Sequence, residues 1–216
     1  MTQAGTDGAA GASGRRARIH AQTRDEILDA AAELITRQGI EAFSLTDLAA
    51  QAGFGGAPSL YRYFTNKQAI LEALTERSLE RLAVHLRRVP ETLPADEQIV
   101  ELCLAYLDYT RMHPGERTLL LTTAASVETE YRTAQPPAEL VERVFRLLRS
   151  AVADGILRAH DEDDVFAIIH AGWALAHGMA EYDAVYAERE REMLRRRHRA
   201  IFRACVAGFK TDWTDA

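Results

Sequence analysis

The residues best suited to chemistry by type and spacing lie close together near position 60. Ser59, Tyr61, Arg62 and Tyr63 stand within five residues of one another, and Lys67 follows shortly after. Hydroxyl and guanidinium groups in such a row can reach the base edges and phosphates of a nucleic acid. Three large side chains on a helix of about two turns are too many for a private core. Lys67 falls where a new helix should begin, and free backbone N–H groups there add to its charge and favour a phosphate. A folded surface cluster of two aromatics around an arginine is the other reading of the same residues.

A second group is more scattered: Cys103, Tyr106, Tyr109, Met112, Phe145, His170, Trp173 and His177. Aromatic, sulfur and imidazole groups on apolar segments are the composition of a small-molecule pocket with few polar groups. His170 and His177 are seven residues apart, on one helical face but two turns from each other. Two-histidine metal sites on a helix use i, i+4 spacing, so neither a metal nor a cofactor is expected, and each histidine alone reads as a hydrogen-bonded core residue. Cys103 and Cys205, far apart in sequence, read as small buried apolar residues or as a redox pair. With no Gly-rich phosphate loop and no clustered acid/base set, an enzyme is not expected.

The frame that must position these groups is helical. The chain has 216 residues, 47% hydrophobic and 27% charged, with only 6 prolines and 13 glycines, which suits long helices. The net charge of −6 is unevenly spread. Residues 1–67 carry 7 Lys+Arg against 7 Asp+Glu, and the remainder carries the whole excess of acid. Arg15, Arg16 and Arg18 are opposed only by Asp7 before the first long helix, so the head points a locally basic end at a polyanion. Two cysteines fit a reducing cytoplasm. The N-terminus lacks the apolar core of a signal peptide, and the uncharged stretch 165–180 is too short and too polar to span a bilayer. The expectation is a soluble cytoplasmic protein.

Helix 1 is expected over Thr23–Arg37, with Ile27, Ala30, Ala31, Leu34 and Ile35 on one face and Thr23 with Glu26 as a capping box. Helix 2 is expected over Leu45–Ala52, capped by Ser44 with Asp47 three positions on, and ended by Gly53. Helix 3 runs Pro58–Phe64, and helix 4 runs from Lys67 to Arg88. Further helices are expected over Ala95–Met112, Pro114–Ala125, Pro137–Ala153, Asp161–Tyr182 and Val185–Lys210. The fold class is all-α with about nine helices. It divides into a flexible basic arm over 1–20, a three-helix head over 21–67 and a larger helical domain over 68–216. A Gly-containing turn between two short helices makes the head a helix-turn-helix, with Leu48, Ala49, Ala52, Leu60 and Phe64 bracing helix 3 against helix 2.

These residues carry a resemblance. Ile27, Ala30–Ala31 and Leu34 to Gly39, then Ser44-Leu45-Thr46-Asp47-Leu48-Ala49, Ala52-Gly53 and Leu60-Tyr61-Arg62-Tyr63-Phe64-Thr65-Asn66-Lys67 are similar to the DNA-binding domain of the tetracycline-repressor-like (TetR) family. The resemblance implies Tyr61 and Tyr63 on phosphates or bases, Lys67 on the backbone and Thr46 on phosphates at the start of helix 2. It also implies a departure: Gly53 to Tyr61 is one residue longer than the common spacing, with Gly55-Gly56 where a Ser or Thr cap is usual. Trp173, His177 and Gly178 resemble a Trp-His-Gly signature of one subgroup's ligand domain.

In that family the last two helices of each chain form a four-helix dimer bundle. Independently, the segment 165–180 is apolar nearly all round, and a helix without a polar face is buried on two sides. The final helix carries Leu194, Ile201, Cys205 and Gly208 on one stripe. Phe166, Leu194, Ile201 and Cys205 are the expected homodimer contacts. The function expected is that of a DNA-binding regulator, most simply a repressor on a palindromic double-stranded operator, released by a small, mainly apolar effector. The alternative is a helix-turn-helix regulator controlled by a protein partner without a small ligand; an enclosed apolar cavity would favour the first.

Overall fold

A computed structural model describes residues 7–120, 139–186 and 188–210. The described residues are helical with no strand among them. The chain divides into two compact units, Met1–Glu76 and Arg77–Ala216, so the boundary falls within a helix rather than ahead of it.

The first unit holds α1 (Asp7–Gln38), α2 (Leu45–Gln51) and a 3₁₀ segment (Ala57–Arg62). It also holds the first half of α3 (Lys67–Leu86). Ile27, Ala31, Leu34 and Ile35 of α1 are buried with Phe43, Leu48, Ala49, Leu60, Phe64, Ile70 and Leu74. That is the expected 3.6-residue stripe of α1, but the helix begins sixteen residues before Thr23. Thr23 is no N-cap: its Oγ1 donates to the Ile19 carbonyl at 2.9 Å, a mid-helix back-bond, and Glu26 accepts from Gln22 instead. Residues 15–22 are mostly Ala, Arg and Gln, with Ile19 and His20 and no glycine or proline, so nothing stops the helix propagating backwards. From Asp7 the segment read as a flexible arm is therefore helical.

The second capping box forms as read. Ser44 Oγ accepts from the Asp47 N–H at 3.1 Å, and Asp47 Oδ2 accepts from the Ser44 N–H at 3.3 Å. At the other end of α2, Gly53 adopts φ +74°. Its N–H donates to the Ala50 carbonyl at 3.2 Å, while Phe54 N–H donates to the Ala49 carbonyl at 2.7 Å. Both bonds of a Schellman motif are present, which needs the left-handed residue that glycine supplies.

The second unit packs α6 (Glu139–Ala153), α7 (Glu162–Asp183) and α8 (Arg191–Gly208) on α4 (Ala95–Met112), with α5 (residues 114–120) following it; Leu82 and Leu86 of α3 join the same core. The helix expected over Pro114–Ala125 and the Pro136–Pro137 break extend outside the described residues. The last helix starts at Arg191, after a 3₁₀ turn at Glu188–Glu190, rather than at Val185. Basic residues of α8 and just after it pair with acids of α4. Arg203 meets Glu97 at 3.0 Å and Lys210 meets Asp96 at 2.6 Å, and Arg199 pairs with Glu101 and Arg195 with Asp108. Complementary charges thus line these two helices along their length, beside the apolar contact that buries Val100, Leu104, Phe202 and Val206.

Candidate nucleic-acid interface and ligand cavity

The segment that carries Ser59 to Arg62 is a 3₁₀ helix and not the α-helix expected over Pro58–Phe64. Gly56 at its N-cap offers no side-chain acceptor, and six residues are too few to gain from an i→i−4 ladder. In a 3₁₀ helix, residues three apart eclipse. Ala57 and Leu60 therefore share the inner row, where Leu60 is buried, while Pro58/Tyr61 and Ser59/Arg62 form two outer rows. Tyr61 is 55% exposed, Arg62 and Thr46 are exposed, and Ser59 and Tyr63 are half-buried.

Two neighbours hold the row in place. His20 of α1 stacks on Tyr63, with ring centroids 4.8 Å apart, and its Nε2 lies 3.3 Å from the Arg62 carbonyl. Phe54 covers the same tyrosine at 5.9 Å. Lys67 is partly committed within the unit: its Nζ donates to the Glu41 carbonyl at 3.4 Å and sits 4.5 Å from the Phe43 ring centre. At the start of α3 the Asn66 side chain already accepts the Ala69 N–H at 2.8 Å. Lys67 has two further donors for an anion.

In the second unit a cavity of about 190 Å³ is lined by α3, α4, α6 and α7. Its walls are almost wholly apolar, including Leu79, Leu82 and Leu86 of α3, Ile99 of α4 and Phe145 and Leu148 of α6. Of the eight residues expected to line it, Cys103, Tyr106, Phe145, His170 and Trp173 do so, and Tyr109 turns to Ser78 and Glu116 instead. Met112 does not: it ends α4 half-exposed. His177 stands behind the wall, with its Nδ1 2.8 Å from the Tyr106 hydroxyl. Burial holds His177 below the ordinary histidine range and the Tyr106 phenol above the ordinary tyrosine range. Both stay neutral at pH 7, so the pair fixes the Tyr106 ring without charging the cavity. Tyr106 and Trp173 meet at 5.0 Å. Burial also pushes the Cys103 thiol up to about 12, which removes the thiolate that a redox sensor needs.

A buried polar cluster around Glu116 of the second unit had no signature in the sequence. Glu116 of α5 is only 2% exposed and accepts from the Tyr109 hydroxyl and from Arg81 of α3 at 3.1 Å. The Tyr109 hydroxyl also lies 3.1 Å from the Ser78 carbonyl. Tyr109 sits among apolar residues on α4, and only its partners on two other helices reveal what its hydroxyl does.

Two family profiles match the chain: "Bacterial regulatory proteins, tetR family" over residues 27–74, and "Tetracyclin repressor-like, C-terminal domain" over residues 99–207. The second alone spans half of the sequence. The chain belongs to the TetR family. The first profile, which describes regulatory proteins, falls on the helix-turn-helix of the head. Among similar proteins is the transcriptional repressor ComR of Escherichia coli K12, 39% identical over 82 residues, 38% of this chain and 37% of that protein. The nucleoid occlusion factor SlmA of Aliivibrio fischeri is 32% identical over 140 residues, 62% of this chain and 69% of that protein. The matches to the first three curated relatives span only 37 to 56% of those proteins' lengths. A crystal structure from Shewanella sp. PV-4, described as a TetR-family transcription regulator, superposes with a TM-score of 0.67 at 18% identity. It covers 84% of this chain and 96% of that one, a likeness of fold.

The four residues expected as dimer contacts take different places in the single chain. Phe166 is buried in its own unit, where it lines the cavity and meets Phe145 edge-on at 4.9 Å. Leu194 is buried with His198, Phe202 and Val206 on the inner face of α8. Cys205 is half-buried and shares a small apolar pocket with Cys103. Ile201 alone of the four is well exposed, at 43%. The outward faces carry Ala167, Ala174 and Gly178 on α7, and Ala200, Ile201 and Ala204 on α8. Among the described residues no helix is long and apolar enough to cross a membrane.

Proposed function

We propose that this TetR-family protein is a cytoplasmic homodimeric repressor that binds a palindromic operator and is released by a small, mainly apolar effector. Tyr61, Arg62 and Tyr63 read the operator, and Thr46, Ser59 and Lys67 hold its phosphates. The course of α3 carries the reading. Its first residue, Lys67, directly follows the exposed Tyr61–Arg62 row, and its later turns supply Leu79, Leu82 and Leu86 to the cavity wall. A ligand that fits the cavity better in one setting of α3 than in another changes how the heads are presented, and operator half-sites are fixed by DNA geometry. About 1.4 kcal/mol of such differential binding already gives a tenfold change in operator affinity.

The cavity's size and walls support a compact ligand. An apolar cavity of ~150 Å³ in another protein stays dry and admits benzene, and this one, at about 190 Å³, offers slightly more room. The effector sits among Tyr106, Phe145 and Trp173. His170 is the imidazole in contact with it, since His177 is engaged by Tyr106 behind the wall. Dimerisation uses the small-residue faces of α7 and α8, where Ala and Gly allow helices to approach closely.

The full chain tests this when it is used to select duplexes from a random-sequence library, and the selected duplex is then challenged with a library of small apolar compounds. Enrichment of a two-fold symmetric site, and its release by at least one compound that also raises the melting temperature, is the expected result. Tight binding to such a site that no compound alters would replace the effector with a protein partner.

A further inference from the structure

We infer that the N-terminal extension of α1 is a second DNA-contacting element, and that Arg15, Arg16 and Arg18 hold phosphates flanking those met by the helix-turn-helix. This rests on the DNA-binding assignment of the head and extends it to a separate surface. Residues 14–26 of α1 bury no side chain; the first buried residue is Ile27. The packing of the head therefore does not account for this stretch. The stretch is also distinctly charged. No Asp or Glu occurs between Asp7 and Asp25, while Arg15, Arg16, Arg18 and Arg24 do, in a chain of net charge −6. Arg15, Arg16 and Arg18 are exposed, and among the described residues none is paired with a carboxylate.

The geometry places this charge beside the recognition row rather than at large. Arg24, His20 and Arg16 are spaced i, i+4, i+8 and share one face of the helix. Arg24 lies 4.7 Å from the Phe64 ring centre. One turn earlier, His20 stacks on Tyr63 and reaches the Arg62 carbonyl. Successive turns of α1 thus step back along the segment from Phe64 to Arg62, and Arg16 is the next step. Four residues of helix rise about 6 Å, close to two phosphates of one strand at ~3.4 Å each. A polyanion lying on Tyr61 and Arg62 passes within reach of Arg16. Arg15 and Arg18 spread the positive charge to its flank. A lipid surface would also attract three arginines, but it would not need His20 to hold them beside Arg62.

The test uses the full chain and the duplex it selects from a random-sequence library, synthesised with long flanks and then trimmed in steps to the symmetric core. The triple variant Arg15→Ala/Arg16→Ala/Arg18→Ala changes only exposed side chains, so circular dichroism and melting should match wild type. The log–log salt dependence of its affinity should be shallower by about 0.9 for each phosphate that the variant leaves unneutralised. Wild type should lose affinity when the flanks are trimmed, and the triple variant should not respond. The triple-lysine variant should restore both behaviours, since phosphate contacts need charge and not a fork. Equal salt slopes and equal indifference to trimming, with Arg62→Ala still weakening binding, would overturn this inference and leave the head's assignment standing. No enriched duplex at all would remove both. Unchanged duplex binding by the triple variant, with lost adsorption to phosphatidylglycerol vesicles, would overturn it in favour of a membrane.

Discussion

Gly172 offers the sharpest test of the cavity. It lies on the inner face of α7 and lines the cavity, and a Cβ built there meets no atom within 4 Å. At roughly 24 cal/mol per Å³ of void, a cavity of about 190 Å³ represents a shortfall on the order of 4–5 kcal/mol. Gly172→Leu should recover part of it. A buried leucine side chain contributes about 1.5–3 kcal/mol, and replacing a mid-helix glycine adds ~0.5–1 kcal/mol. The sum, about 2–4 kcal/mol, should raise Tm by roughly 5–15 °C in a chain of this size. Differential scanning fluorimetry reads this directly. The same variant should bind the selected duplex as wild type does and lose its response to apolar compounds. A fall in Tm by the ~1–3 kcal/mol typical of overpacking would mean that the space is not there, and the effector reading would lose its physical basis.

Ile201→Asp places a charge on a residue that is 43% exposed in the single chain but central to the proposed dimer face, so it should give folded monomers in sedimentation. A wild-type chain that is monomeric at micromolar concentration would contradict the dimer. Tyr109→Phe strips the buried Glu116 carboxylate of one hydrogen bond and should cost about 1.5–3 kcal/mol in urea unfolding; a change within experimental error would show that water already serves that carboxylate. Folding lowers the pKa of His177 from its ordinary 6.5 through burial, so the unfolded chain binds the proton more readily. Stability should therefore fall as pH drops through 6.5 towards the folded value, and His177→Gln should flatten that part of a urea-midpoint profile. Part of the slope should survive the substitution, because burial and Arg88 lower His85 as well.

The elements with local punctuation were legible in the sequence. Ser44 with Asp47, Gly53 in its left-handed turn, and the helix Ala95–Met112 between prolines all stand where residue chemistry puts them. Thr23 with Glu26 shows the limit of the same rule. A capping pattern marks a helix start only if the chain upstream is not helical, and Ala- and Arg-rich residues 15–22 are. The cavity was legible as chemistry but not as geometry. Its aromatics stand out by type, whereas Leu79, Leu82 and Leu86 read as ordinary core, and only the packing shows a void among them. Met112 and His177 were misplaced because residue type says nothing of which side of a wall a group occupies. Of the four residues expected as dimer contacts, Phe166 and Leu194 pack inward in the single chain and Ile201 faces out, for a related reason. On a helix apolar all round, hydrophobicity cannot tell the inner face from the outer one. Only the packing does: Phe166 fills the interior, while Ala174 and Gly178 face out.

The head's role in reading DNA is tested most directly by fluorescence anisotropy with wild type and Arg62→Ala, at one fixed salt concentration, on the selected duplex and a scrambled duplex of equal length. Wild type should prefer the selected duplex by a factor on the order of 10³ or more. Arg62→Ala should narrow that preference by about 1–3 kcal/mol while binding the scrambled duplex nearly as before. If wild type binds both duplexes alike, or if Arg62→Ala retains the full preference, the exposed row on the 3₁₀ segment is not the reading surface.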